Sequence, residues 1–173
     1  ELYFIKLIEH YKNIGYNIHI GCTKNSHISN SIIHNKIECA DNVFFKYIKN
    51  IFKLRRYIIN NKLNILHVSW TKDIFTAVML KLFTPGNIKI IFYRQMKIPH
   101  QKKTFYHKFF YKHIDLLLVI TDKLKEEAYS NIPIDKDKVI KLTYGISKPK
   151  LNIKDNKSSF IKNNNIDPKI FSI

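Results

Sequence analysis

Glycine is scarce. Only Gly15, Gly21, Gly86 and Gly145 occur in 173 residues, so neither the G-x-G-x-x-G fingerprint of dinucleotide-binding folds nor a phosphate-cradling P-loop can be written from this chain. Cysteine is scarcer still. Cys22 and Cys39 are too few and too far apart for a zinc set or a disulfide framework, and two buried thiols suit a reducing compartment. H-E-x-x-H, a G-x-S-x-G elbow and a closely spaced acidic pair of metal-site type are absent as well, which leaves metal and serine-hydrolase chemistry without support. The longest uncharged apolar run is "LLLVI" at 116–120, far short of the roughly 20 residues a membrane-spanning helix needs. The opening "ELYFIKLIEHYKNIG" has no basic start, apolar stretch and small-residue cleavage site of the signal-peptide kind. It reads as a motif entered partway, so a preceding segment is expected.

Acidic residues are few: thirteen against thirty lysines and arginines, for a formal charge of +17. Such a balance attracts phosphate-rich partners or anionic lipid. Arginine itself is limited to Arg55, Arg56 and Arg94 while Lys, Asn and Ile abound, a pattern that an AT-rich coding sequence also produces, so the charge by itself selects no partner.

What is present has a clear order. Residues 2–14 place apolar side chains at helical spacing, and Gly15 stands where a helix C′ glycine would. "NIHIGC" (17–22) reads as a strand, and 23–42 as irregular apart from a short element near 36–40. An amphipathic helix runs from Val43 to about Asn61 with Phe44, Ile48, Ile51, Phe52, Ile58 and Ile59 on its apolar face. Strand "LNILHVSW", helix "TKDIFTAVMLKLF", turn "TPGN" and strand "IKIIFYRQM" follow. Then come a loop through Pro99, helix "KKTFYHKFFYKH" and strand "IDLLLVIT". Thr121 is placed to cap the helix "DKLKEEAYS", with Asp122 in its first turn. A last short strand "KVIKLT" leads into "YGIS", and a polar linker-like stretch ends in "IFSI". Repeated strand–helix alternation with strands apolar on both faces predicts a doubly wound, mostly parallel α/β sheet with helices on both faces.

In such a sheet, ligands sit at the carboxyl ends of the strands. His67, Ser69, Trp70 and Thr71 follow one strand, Arg94 and Gln95 the next, then Thr121, then Tyr144 and Gly145, and these are the expected cleft residues. Each has an ordinary structural alternative. A histidine at a strand end serves as a hydrogen-bonded core residue, a buried indole anchors a core edge, and Arg94 has Asp73 or Asp115 as salt-bridge partners. Arg94 stands out because a planar guanidinium fork suits phosphate or carboxylate better than an ammonium. "KKTFYHKFFYKH" interleaves lysine and aromatics over a sector broad enough to leave aromatic surface exposed. It reads either as a sheet-covering helix or as an interfacial helix on an anionic membrane.

The order of these elements resembles the N-terminal domain of family 4 glycosyltransferases, of the GT-B fold, over about residues 1–150. "ELYFIKLIEHYKNIGYNIHI" is similar to the helix and strand after that family's Gly-Gly loop. "LRRYIINNKLNILHVSWTKDIFTA" is similar to its I-x-x-x-x-P-D-I-V-H-x-H stretch, with Leu63 and Asn64 in place of proline and aspartate. "KIIFYRQM" occupies the strand that often ends T-x-H, "YKHIDLLLVITDKLKEEAYS" resembles the following strand and helix, and "KVIKLTYGIS" sits where the family has V-I-x-N-G-I-D. Ser69 stands in place of the second histidine of H-x-H, Arg94 where many members keep a histidine, and Tyr144 and Ser147 in place of the Asn and Asp of N-G-I-D. Histidine-based roles therefore do not transfer to this chain, and the arginine suits an acceptor carrying phosphate or carboxylate.

The resemblance implies a Rossmann-like domain over 1–150 without its first strand, then a linker and the start of a C-terminal domain over 151–173. It also implies a retaining, hexosyltransferase-type transfer from a nucleotide-diphosphate sugar to a glycan or lipid-linked acceptor, with no metal and no separate cofactor, as in polysaccharide assembly. From the residues at the strand ends, Arg94 is expected to take the catalytic role, His67, Ser69, Trp70, Thr71, Arg94 and Gln95 to bind acceptor, and Thr121, Tyr144 and Gly145 to shape the cleft loop. The donor half would lie beyond about Ile170, so the chain alone is expected to be inactive. A cytoplasmic location, peripheral at the inner membrane face and in contact with anionic lipid, is expected, with no specific nucleic acid. The rivals are a basic nucleic-acid-binding protein and a non-catalytic Rossmann-like module.

Overall fold

The computed structural model describes residues 2–23, 30, 36–39, 44–143 and 145. Two compact units divide the chain, Glu1–Thr143 and Tyr144–Ile173, and the elements below all belong to the first. They are α1 (Leu2–Asn13), β1 (Ile20–Thr23), β2 (Lys36–Cys39), α2 (Phe44–Asn60), β3 (Ile65–Val68), α3 (Asp73–Phe83), β4 (Lys89–Arg94), α4 (Phe105–Lys112), β5 (Leu116–Val119), α5 (Asp122–Asn131) and β6 (Val139–Lys141). A 3-10 turn, Lys136–Lys138, leads into β6.

Helix α1 stops as its glycine predicts. Gly15 has φ +87°, the Tyr16 N–H donates to the Tyr11 carbonyl and the Gly15 N–H to that of Lys12. These are the two bonds of a Schellman ending, in which a left-handed residue reverses the chain. Helix α2 ends the same way with no glycine to announce it. Lys62 takes φ +53°, and the Leu63 and Lys62 N–H groups donate to Ile58 and Ile59.

Strands β3, β4, β5 and β6 pair in that order, all parallel, while β1 and β2 pair in parallel with each other. The parallel α/β class read from the sequence is the one observed, with helices flanking the sheet. The strands are shorter than their apolar runs: Ser69 and Trp70 fall in the turn after β3, and Gln95 and Met96 in the loop after β4. Lys102 and Lys103, expected in a helix, belong to that same loop, because Thr104 caps α4 by accepting from the His107 N–H.

One face of the sheet carries the main core. Ile90, Phe92, Leu117, Val119 and Val139 pack against Ile74, Ala77 and Val78 of α3, Phe110 and Tyr111 of α4, and Leu124 and Ala128 of α5. Each fully buried aliphatic or aromatic side chain contributes about 1.5–3 kcal/mol, so this layer sets the stability of the unit. A smaller cluster, Ile51, Ile58, Leu80 and Ile88, attaches α2 alongside α3.

At the amino end of β5, Asp115 links three elements. Its carboxylate accepts from Lys81 of α3, from Lys89 at 3.3 Å and from the Ile90 N–H at 2.8 Å. Burial opposes its charge, but the hydrogen bonds from Lys81, Ile90 and Lys89 outweigh that and hold the carboxyl below its ordinary 3.8. Asp115→Ala is expected to cost about 1–3 kcal/mol, the range for losing charged hydrogen bonds at a partly buried site. Urea unfolding of the two proteins measures the difference.

Candidate functional site

Arg94 is the last residue of β4, in register with Val119. Side chains alternate across a strand, so Arg94 shares the face of Ile90 and Phe92 and reaches out where that core ends. Its Nη1 donates to Thr71 Oγ1 at 2.8 Å and its Nη2 to the Lys97 carbonyl at 2.7 Å. Nε is buried without a hydrogen-bond partner. Neither Asp73 nor Asp115 neutralises it, and among the described residues no carboxylate does. A half-buried guanidinium held by a hydroxyl and a carbonyl keeps its full charge available to an anion.

The loop that supplies one of those contacts is pinned. Ile98 is 1% exposed; its N–H donates to Glu127 Oε2 at 2.9 Å and its carbonyl accepts from Asn131 Nδ2 at 2.7 Å. The Lys102 N–H donates to the Asn131 carbonyl at 2.7 Å. Helix α5 thus fixes the backbone of residues 97–102 beside Arg94. Two more ionisable groups lie close enough to feel that charge. Lys102 is lowered from its ordinary pKa by burial and by Arg94, and the Tyr111 phenol is pushed up to about 12 by burial against an opposing effect of Arg94.

His67 is placed otherwise. It pairs with Ile91, one residue out of phase with the Val68–Phe92 pair, and so faces the opposite side of the sheet from Arg94. There its ring lies 5.2 Å from Phe4 of α1 and 6.1 Å from Tyr93. Its Nε2 is buried without a hydrogen-bond partner, and burial lowers its pKa below 6.5. The expected convergence of His67 and Arg94 on one surface is therefore not found, because a period-two strand sends them to opposite faces.

Of the other expected residues, Thr71 is brought to Arg94 directly. Ser69 and Gln95 are half-buried at the same carboxyl end. Trp70 is 59% exposed, with Lys72 Nζ 5.9 Å from its ring centre, so it is no core anchor. Thr121 caps α5 as the sequence predicted, accepting from the Leu124 N–H at 3.1 Å. Gly145 belongs to the second unit, and Tyr144 lies outside the described residues. Sequence reasoning missed Lys102, Tyr111, Glu127 and Asn131. The signal for Lys102 was the lysine-rich loop around Pro99; the other three sit on amphipathic helices whose core-facing positions look alike in sequence. Among the described residues no cluster of three or more His, Cys, Asp or Glu could hold a metal ion.

A family model described as glycosyl transferase 4-like matches residues 1–122. The chain belongs to that family. A search of the curated proteins returns no match. Among solved structures, a glycosyltransferase from Rickettsia africae superposes with a TM-score of 0.72 at 15% identity, covering 95% of this chain and 45% of that one. The apo form of WaaB, a lipopolysaccharide outer core galactosyltransferase, gives 0.55 at 12% identity over 68% of this chain and 32% of that one. Both likenesses establish the fold, and the chain spans less than half the length of either neighbour.

His67 gives a test of the opposite face. A histidine kept neutral by burial contributes stability above the unfolded pKa of about 6.5, and that contribution is lost as pH falls below it, because the unfolded chain then binds the proton more readily. Wild type should therefore lose stability relative to His67→Gln on acidification below pH 6.5, by at most about 1.4 kcal/mol per pH unit. Denaturation midpoints of the pair measured across that range check it; parallel curves would show that His67 titrates freely.

Proposed function

We propose that this chain is the acceptor-side part of a glycosyltransferase that moves a sugar from a nucleotide-diphosphate donor to a glycan or lipid-linked acceptor. The observation that carries the reading is Arg94, without a carboxylate partner among the described residues and anchored by Thr71 and Lys97 at the carboxyl end of a parallel sheet in a family chain. Ligands of open α/β sheets enter at that end.

In this reading Arg94 touches the acceptor or the departing phosphates, with Ser69, Trp70, Thr71 and Gln95 beside it and Lys102 adding positive charge. Thr71 and the Lys97 carbonyl orient the fork before substrate arrives, so no reorganisation is needed as negative charge develops. Glu127 and Asn131 act one step further back, through the loop. Transfer proceeds with retention of configuration and without a metal, the fixed cations stabilising the leaving diphosphate. His67, turned toward Phe4 and Tyr93, packs and does not enter the reaction. The donor is held by residues outside Glu1–Thr143, and the enzyme works in the cytoplasm, on acceptors of the kind assembled into cell-surface polysaccharide.

The test requires the complete protein that contains this chain, assayed for nucleoside-diphosphate release with a panel of nucleotide sugars. Arg94→Lys keeps the charge but loses the fork, and should lower kcat/KM at least tenfold, about 1.4 kcal/mol of transition-state stabilisation. An unchanged kcat/KM removes Arg94 from the site, and the absence of any sugar transfer by the wild type overturns the reading as a whole.

A further inference from the structure

One turn joins β3 to α3 and gathers three kinds of chemistry at the carboxyl border. The Asp73 N–H donates to the Trp70 carbonyl at 3.0 Å, so these two residues stand at the ends of a hydrogen-bonded turn whose Cα atoms close to within about 7 Å. Thr71, between them, accepts from Arg94 Nη1 at 2.8 Å. An indole, a carboxylate and a guanidinium are thereby held around the same few residues.

The fold uses neither the indole nor the carboxylate. Trp70 is 59% exposed and is the single tryptophan of the chain. Its ring has the Lys72 ammonium 5.9 Å from its centre, and among the described residues nothing accepts a hydrogen bond from its N–H. Asp73 is exposed, yet in a chain of formal charge +17 no ion pair reaches its carboxylate among the described residues. The chain around that carboxyl withholds enough water to raise its pKa above the ordinary 3.8, and no cation offsets the effect. A first-turn position suits an acid through the helix dipole, which accounts for Asp73 at the start of α3 and not for the open indole beside it.

A charged sugar ring matches all three groups. The C–H groups on one face of a pyranose suit the electron-rich face of an indole. Its hydroxyls donate to a carboxylate in charge-assisted hydrogen bonds, and an anionic substituent fits the Arg94 fork. A simple phosphate would meet a repelling carboxylate at Asp73 and gain nothing from Trp70. An acyl chain laid on Trp70 would strip water from Asp73 and leave its charge unpaired.

We propose that the Trp70–Asp73 turn is a sugar subsite in which a pyranose ring of the acceptor stacks on Trp70, neighbouring hydroxyls donate to Asp73, and a phosphate or carboxylate on the same sugar meets Arg94. The inference rests on the acceptor-side reading of the chain and adds that the accepting end is a charged sugar, with Trp70 and Asp73 determining specificity for its ring.

Because Trp70 is the single tryptophan, its emission reports the subsite in the 173-residue chain without any transfer. The probes are glucose 6-phosphate, galactose 6-phosphate, N-acetylglucosamine 6-phosphate and glucuronate, with n-butyl phosphate as an anion that lacks the ring; calorimetry gives the affinities. At least one sugar anion should change the emission saturably and bind about tenfold or more tightly than butyl phosphate. Trp70→Ala and Asp73→Asn alter exposed positions, and circular dichroism verifies that each folds. Each should weaken the sugar anion about tenfold while butyl phosphate binds as before or, in Asp73→Asn, more tightly; should one variant fail to fold, the other carries the test.

No saturable change with any sugar anion overturns the proposal. Butyl phosphate binding as tightly as the best of them overturns it too, reducing the site to charge, as does sugar binding that both variants leave unchanged. The transferase reading fails separately. Sugar binding that depends on Trp70 and Asp73, in a complete protein that transfers no sugar, keeps the subsite and overturns that reading; transfer whose acceptor KM neither substitution alters keeps the reading and overturns the subsite.

Discussion

Parallel pairing with β4 between β3 and β5 is the constraint on which the other features depend. It fixes the direction of all four strands, so their carboxyl ends form one border, and it fixes the phase of each side chain relative to its neighbours. Val68, Phe92 and Leu117 align across three strands, and the residues two steps along follow. Arg94 is carried past the end of a buried row in this way, and His67 is turned to the other side by the same rule. A slip of one residue in the β3–β4 register would exchange the faces of the whole strand, and burial of Ile90 and Phe92 on one side opposes it.

The second feature is the handling of charge. Arg94 is paid for by neutral oxygens, Thr71 Oγ1 and the Lys97 carbonyl, which orient a guanidinium without cancelling it. Carboxylates are placed elsewhere: Asp115 takes Lys81 and Lys89, Asp122 takes Lys141, Asp135 takes Lys138. Glu127, the acid that reaches the loop after β4, accepts from a backbone N–H. Its position satisfies a buried donor that would otherwise cost about 1–3 kcal/mol, and among the described residues it forms no direct ion pair with the nearby cations.

Much of this architecture was legible in the sequence, since apolar periodicity separates strands from helices and the caps at Thr121 and Gly15 are written in residue type. The end of α2 was not: Lys62 adopts a left-handed conformation usually given to glycine or asparagine, and nothing in "NNKL" distinguishes it. The site was half legible. Chemistry-bearing residues at strand ends identified the border, but whether a given one lies inside the strand or just beyond it decides its face, and strand ends are the least certain part of a sequence reading. His67 lies inside β3; Thr71 lies beyond it and can turn back to Arg94. Lys102 was assigned to a helix because the lysine-aromatic pattern runs unbroken through Thr104, and the capping hydroxyl shifts the helix start to Phe105.

Coding bias explains part of the composition and leaves its arrangement unexplained. A preference for lysine over arginine, and for asparagine and isoleucine, acts on every segment alike. Yet Asp73 is the single acidic residue between Asp41 and Asp115, whereas six fall within residues 115–137. The acids are concentrated just before β5, on α5 and in the turn before β6, where Asp115, Asp122, Glu127 and Asp135 bond backbone groups or neighbouring lysines. The stretch around Arg94, the pinned loop and α4 contributes no acid of its own; the carboxylate that reaches it is Glu127 of α5, through the Ile98 N–H. Composition alone would spread basic and acidic residues evenly along the chain. The order of residues instead sets a run of eight basic and no acidic residues, from Lys81 to Lys112, through β4 and α4.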